Sequence, residues 1–481
     1  ASIACCCDCL SAYPVLLQLH LRLLQVTLHG LGLLPDLQEL RVLLCARTMA
    51  EGGSWLIPEF QGQPRLRKPP LMYWVTALPT MVSDTPGAAR LPGALAGIAL
   101  VVVTFLLGCL TLKAGPPAAC IGAFVLATSR LFLKQAPSAE TDALLCLCVT
   151  GAVLVGWRIG QHPKPPWRWW LAWGALVGLG FLTKGPAALV LPVVGLLLAP
   201  PAQPRPNIPR ALGGFGIALA LALAIALPWY IYIRTGIRGS TAVVGQELTD
   251  TFAKATHPGP PWYYLYTLPK TLLPWGILVP FALVGLWKKR NALTDGERFL
   301  WRWLAAGFLL LTLTPQKQEH YALLLLPVAA LLTGALIHRP NSRELFKTWR
   351  NEHPALNLAL MGAIIIGLFL AIAFTAFLKS ISSDRQIVQL LSHFRDEVQS
   401  AEHVHVVGIN SAIFEYYLHR PVENLDDPVH AWRRAQPGEH IFWVGTGDAF
   451  SSFADRIPHQ PEEYKHWQGE NYRRGFVWKK Q

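Results

Sequence analysis

Five ionisable residues border long apolar runs: Lys68 in RLRKPPLMYW, Asp142 in SAETDALLCL, Lys184 in FLTKGPAALVLP, and Lys317 and His320 in TPQKQEHYALLLLP. Charged groups at membrane depth are costly and default to functional readings. Lysines beside apolar walls suit one ligand class above others, a phosphate attached to a lipid. The cations hold the head group while the tail stays in the bilayer.

Each residue also has a plainer reading. Lys68 with Arg65 and Arg67 serves equally well as a contact for anionic head groups, and Lys184 as a snorkelling interfacial lysine. Asp142 opens an apolar segment, where a carboxylate is either an N-cap or a catalytic or orienting acid, with Thr141 offering a competing cap. Lys317, Glu319, His320 and Tyr321 form a dense polar knot that a solvated loop would also explain. His257, in the aromatic-rich stretch HPGPPWYYLYTLP, is a further candidate alongside Lys317 and His320.

The elements that position these residues are membrane spans. Of 481 residues 52% are hydrophobic and only 15% charged, against roughly 25% charged in soluble domains. Runs 92–112, 211–233 and 355–378 each reach the ~20 residues a bilayer core demands. With the shorter runs 14–34, 116–133, 143–157, 169–182, 185–199, 271–287, 298–314 and 321–337 they give eleven expected spans, an α-helical integral membrane protein. PLMYWVTALPTMV (70–82) is too short to span and reads as a helix at the outer interface, anchored by Tyr73 and Trp74. The formal charge of +13 concentrates in alternate loops, around Arg158, Lys164 and Arg168, then Arg205 and Arg210, then Lys288 to Arg290, then Arg339 to Arg350. This is the cytoplasmic pattern rather than a nucleic-acid footprint. It places segments 35–91, 134–142, 183–185, 234–270 and 315–320 outside, so all five opening residues fall on one face.

Beyond residue 379 the texture becomes soluble. HVHVVGIN and HIFWVG read as strands and SAIFEYYLHR as a helix, so a small C-terminal α/β domain (379–481) is expected outside the membrane, after a transmembrane domain over 1–378. GTG (445–447) lacks the remainder of a dinucleotide motif and reads as a turn. Of the nine cysteines, Cys109, Cys120, Cys146 and Cys148 lie in apolar runs and act as small hydrophobes, while CCCDC at the start has no partner pair at metal-finger spacing. The first 45 residues differ in texture from the remainder and begin with Ala, so this end is read as incomplete or altered. No cleavable signal peptide is evident, and the first span would direct insertion.

Taken together, the Lys-Pro-Pro turn before an aromatic interfacial helix, TDALL opening a span, LTKGP before an apolar run and KQEHYALLLLP resemble protein O-mannosyltransferases and the aminoarabinose transferase of lipid A modification. The likeness runs in order from about Arg47 to Ile337. These are GT-C membrane glycosyltransferases using polyprenyl-phosphate sugars. The resemblance implies that Lys68, Lys184 and Tyr321 face the donor phosphate, with Asp142 at the cavity rim. It also implies an Asp-Glu pair in the first outer loop followed two residues later by Arg, the Asp acting as base. Aligned on Arg47 and Met49, Glu39 and Arg41 take the Glu and Arg places, but Gln38 stands in the Asp place and Asp36 is out of register.

The expectation is therefore sugar transfer from a polyprenyl-phosphate donor to a lipid or protein acceptor at the outer face of a bacterial inner membrane. The base is Glu39, Asp36 or Asp142, with Arg41 joining the lysines and Tyr321 at the donor. No cofactor is required, although a divalent cation fits the scheme, and the partners are the donor, the acceptor and membrane lipids. A transporter would carry ionisable groups mid-span and a repeat relating two halves, neither of which is evident. A noncatalytic scaffold gains weight if the Gln38 substitution removes the base.

Overall fold

The computed structural model describes residues 37–201, 208–237, 258–279 and 293–338, with isolated positions 245, 284 and 291 and short stretches between 405 and 479. The expected spans at 14–34 and 355–378 lie outside the described residues. The chain divides into two compact units. Among described residues the larger holds 46–58 and 64–338, and the smaller holds 37–45, 59–63 and the C-terminal stretches.

The larger unit is a helical bundle. Of helix α1 (Leu37–Ala50) only the last turn, from Ala46, belongs to it, and the helix ends ahead of Gly52-Gly53. The short interfacial segment forms α2 (Leu71–Val82). Then come α3 (Pro86–Thr111), α4 (Pro116–Ala127), α5 (Arg130–Gln135), α6 (Thr141–Gly160), α7 (Trp167–Lys184), α8 (Ala187–Leu198), α9 (Ile208–Gly236), α10 (Tyr263–Thr271), α11 (Asp295–Leu313) and α12 (Leu326–His338). Among described residues, Pro86–Thr111, Thr141–Gly160, Ile208–Gly236 and Glu319–His338 are long and apolar enough to cross a membrane. Polar groups inside such a bundle must be satisfied internally. Accordingly Thr104, Thr111, Thr183 and Thr333 each return their hydroxyl to the carbonyl four residues earlier.

Two expected spans are broken. The run 116–133 divides into α4 and α5 because the backbone turns extended at Ser129 (φ −75°, ψ 143°), with the Thr128 and Ser129 hydroxyls donating to the carbonyls of Phe124 and Leu126. That turn ends one helix, and the Arg130 amide donates to the Leu273 carbonyl at the start of the next. The described part of 271–287 is likewise not continuous. Helix α10 stops at Thr271 and a 3-10 turn follows over Trp275–Leu278, since Pro274 lacks the amide that would continue the ladder. Trp275 Nε1 donates to Thr128 Oγ1 at 2.8 Å, joining the two breaks.

Helix α6 lies at the centre, packed against α3, α7 and α8. Its Leu145, Cys146, Val149, Val153 and Trp157 join the main apolar core. Gly93 on α3 lets the 136–138 loop lie directly on that helix, for a β-carbon there would collide with the Ser138 carbonyl oxygen. This close approach fixes the entry to α6.

In the smaller unit the described stretches are β1 (His405–Val407), α13 (Ser411–Leu418), β2 (Glu423–Leu425), β3 (His440–Thr446), β4 (Tyr464–Gln468) and β5 (Arg473–Lys479). β1 pairs in parallel with β2, and β5 runs antiparallel between β3 and β4. Gln61 Nε2 donates to Glu415 Oε2 at 3.0 Å.

Candidate active site

The bundle encloses a cavity of about 480 Å³, within the range of small-molecule sites. Lys68 and Arg67 enter it from the loop before α2, Asp142 from the first turn of α6, and Lys184 and Gly185 from the junction of α7 and α8. Trp229 and Tyr230 reach it from α9, and Tyr321 from the 3-10 turn Glu319–Leu325 that precedes α12. Leu145, Phe181, Val190, Leu191, Leu227 and Leu310 supply apolar wall.

Local sequence explains these placements. Gly185 adopts φ +74°, a conformation that costs other residues a steric penalty. It ends α7 on Lys184, and Pro186 begins the following helix without needing an amide donor. The lysine is thereby held at the tip of the turn. Its Nζ reaches Asp142 Oδ1 at 2.7 Å, and both side chains are largely buried, at 16% and 6% exposure. The same Nζ stands 5.0 Å from the centroid of the Tyr321 ring. Glu140, not Asp142, takes the N-cap position of α6, with no side-chain capping bond. Asp142 is a counter-charge, and the Thr141 hydroxyl is buried without a hydrogen-bond partner among the described residues.

Lys68 sits differently. Among the described residues it has no ion pair or hydrogen-bond partner. Burial, helped by the neighbouring charge of Lys184, lowers its pKa to about 8 against the pull of Asp142. Of the two lysines in the cavity, then, only Lys184 is bonded to a carboxylate, while Asp142 and Glu140 act on Lys68 from farther off. A cation at an apolar wall with no bonded partner attracts an anion borne on an apolar molecule, because neither partner is well solvated there.

The polar knot 315–321 divides its labour. Lys317 Nζ donates to the carbonyls of Leu311, Thr312 and Thr314 at 2.9, 2.6 and 2.6 Å, so it caps the end of α11 and does not line the cavity. The Tyr264 hydroxyl donates to the Gln318 carbonyl at 3.2 Å and accepts from the Gln318 amide at 3.3 Å. Glu319 accepts from Arg130 at 2.6 Å and pairs with Lys270 at 3.4 Å. With the knot held from three sides, Tyr321 projects into the cavity and His320 packs edge-on against it at 4.8 Å.

Of the residues singled out from sequence, the structure brings together Lys68, Asp142, Lys184 and Tyr321, with His320 adjoining. Glu39 is buried on α1, and Arg41 lies two residues further along. Both belong to the smaller unit. Asp36 and His257 lie outside the described residues. Sequence reasoning passed over Trp229, Tyr230 and Phe181, although PWYIYI at the outer end of an expected span was the available signal.

Residues 67–232 match the family model described as dolichyl-phosphate-mannose-protein mannosyltransferase. An undecaprenyl phosphate-alpha-4-amino-4-deoxy-L-arabinose arabinosyl transferase of Edwardsiella ictaluri is 31% identical over 308 residues, covering 62% of this chain and 54% of that protein. The second such transferase of Pseudomonas fluorescens is 30% identical, covering 66% and 55%. The chain thus spans about half the length of these relatives. The crystal structure of ArnT from Cupriavidus metallidurans bound to undecaprenyl phosphate superposes with a TM-score of 0.68 over 97% of each chain at 18% identity. The apo state of that protein gives 0.70 over 98% at 17% identity. The chain is therefore an α-helical integral membrane protein of the GT-C fold, similar in sequence and architecture to the glycosyltransferases of the protein O-mannosyltransferase and aminoarabinose transferase superfamily.

Proposed function

We propose that the chain is a membrane glycosyltransferase that moves a sugar from a polyprenyl-phosphate donor to an acceptor at the outer face of the bacterial inner membrane. The observation that carries this reading is the cavity in which Lys68, without a bonded partner, and the Asp142-paired Lys184 share an apolar wall. The names of the similar arabinosyl transferases support the donor class.

In the reaction the bond between the sugar's anomeric carbon and the phosphate oxygen breaks, and a bond to an acceptor oxygen forms. The electron pair leaves with the phosphate, where Lys68 and Lys184 offset the developing charge. A carboxylate takes the acceptor proton. Asp142 is already committed to Lys184 at 2.7 Å, and such pairing weakens a base. The other candidates for this role are the carboxylates that the family resemblance marks, Glu39 and Asp36. Two lysines supply the charge offset in this scheme, so turnover does not require a divalent ion.

The test is incubation of purified protein with a labelled undecaprenyl-phosphate sugar in the presence of EDTA, following release of undecaprenyl phosphate. Lys68→Ala should lower the rate by about 10²–10³-fold, the usual loss when one preorganised charge partner is removed, while membrane insertion is kept. Unchanged release in the variant would remove Lys68 from the mechanism, and binding without turnover in wild type would leave a scaffold.

A further inference from the structure

Tyr230 places a polar group on the apolar wall of the cavity that the mechanism above leaves unused. Its ring is fixed by edge-on contacts to Phe181 at 5.6 Å and Trp229 at 5.0 Å. Trp229 is itself tied by Nε1 to the Leu56 carbonyl at 2.8 Å. The ring thus has little freedom to turn away. It packs in a cluster that includes Leu66 and Leu71, on either side of the Lys-Pro-Pro motif, and Leu182, just before Lys184. A β-carbon on Gly185 would stand 3.5 Å from the Tyr230 hydroxyl, so that oxygen lies at the Lys184-Gly185 turn.

Among the described residues the hydroxyl has no hydrogen-bond partner. Tyr230 is partly buried and lines the cavity, so its hydroxyl is available to a ligand there, which a phenylalanine packing the same wall would not be. A phosphate is the ligand group that fits best. The hydroxyl can donate a charge-assisted bond to it, and the two cavity lysines border the same turn and loop.

We propose that Tyr230 is a donor-binding residue whose hydroxyl donates a hydrogen bond to a non-bridging phosphate oxygen of the lipid-linked ligand, beside Lys68 and Lys184. This inference rests on the phosphate reading of the cavity. It is tested with two probes, undecaprenyl phosphate and undecaprenol, which differ only in the phosphate. Tyr230→Phe should bind undecaprenyl phosphate at least about tenfold more weakly, the loss expected for one charge-assisted hydrogen bond, and undecaprenol as before. Unchanged phosphate affinity, or an equal loss for both probes, overturns the assignment and leaves the ring as packing. Wild-type protein that binds the two probes alike, with no loss in Lys68→Ala, overturns the phosphate reading itself. A phosphate preference lost in Lys68→Ala but kept in Tyr230→Phe overturns the tyrosine alone.

Discussion

Lys68 and Lys184 line one cavity under opposite electrostatic conditions. Lys184 is bonded to Asp142 at 2.7 Å and faces the Tyr321 ring, whereas Lys68 has no bonded partner among the described residues and its pKa is held down near 8. One lysine is built into the fold and the other, in the proposed mechanism, is left for the donor phosphate. The difference predicts opposite responses to truncation. Asp142→Ala strands a buried ammonium and should cost about 3–5 kcal/mol, while the double variant Asp142→Ala/Lys184→Met should regain most of that stability. Lys68→Met removes a charge that the unliganded protein stabilises poorly, so it should leave thermal stability unchanged or raised even as transfer is lost. Unfolding curves of the variants in detergent check this. Equal destabilisation by Lys68→Met and Asp142→Ala would break the asymmetry.

The same contrast marks how much the sequence makes legible. Apolar run lengths and alternating cationic loops locate helices and a shared face, because both follow from the bilayer's demands on every residue along a span. The four residues gathered at the cavity stood out as charges or aromatic groups at the ends of those runs. Pairing was not legible, since Asp142 and Lys184 are 42 positions apart and meet only through the packing of α6 on α7. Nor was the split of 116–133, where the backbone turns extended at Ser129 in a run whose hydropathy is uninterrupted. Tyr230 was hidden for another reason. An aromatic residue at a span end serves as an interfacial anchor far more often than as a ligand contact, and only its packing and neighbours separate the two.

Lys317 sharpens the comparison from outside the cavity. It shares with Lys68 and Lys184 a place at the lip of an apolar run, yet its ammonium is consumed by three backbone carbonyls. Lys317→Met should therefore behave as a loss of helix-end capping, lowering stability by about 1–3 kcal/mol. Donor affinity should stay within about twofold. Thermal unfolding and undecaprenyl-phosphate binding measured on the same preparation separate these effects. A large affinity loss at wild-type stability would return Lys317 to the site.

The smallest effect is also the one most specific to Lys68. An ordinary lysine titrates at 10.5, whereas burial and the neighbouring Lys184 bring this one to about 8. A bound phosphate favours the charged form and raises the value again. Below pH 8 the site is already protonated and affinity is at its full value. Above pH 8 binding must take up a proton, so affinity falls by up to about tenfold per pH unit. The stability of the unliganded protein moves the other way. The unfolded chain holds more protons between pH 8 and 10.5, so this group's contribution rises across that window. In Lys68→Arg the guanidinium stays charged throughout, so the fall in binding should flatten even though the cation is kept. Undecaprenyl-phosphate affinity measured from pH 6.5 to 9.5 decides the matter. If the decline above pH 8 persists in Lys68→Arg, the proton belongs to another group, and Lys68 would be an ordinary head-group cation rather than the unpaired charge of the cavity.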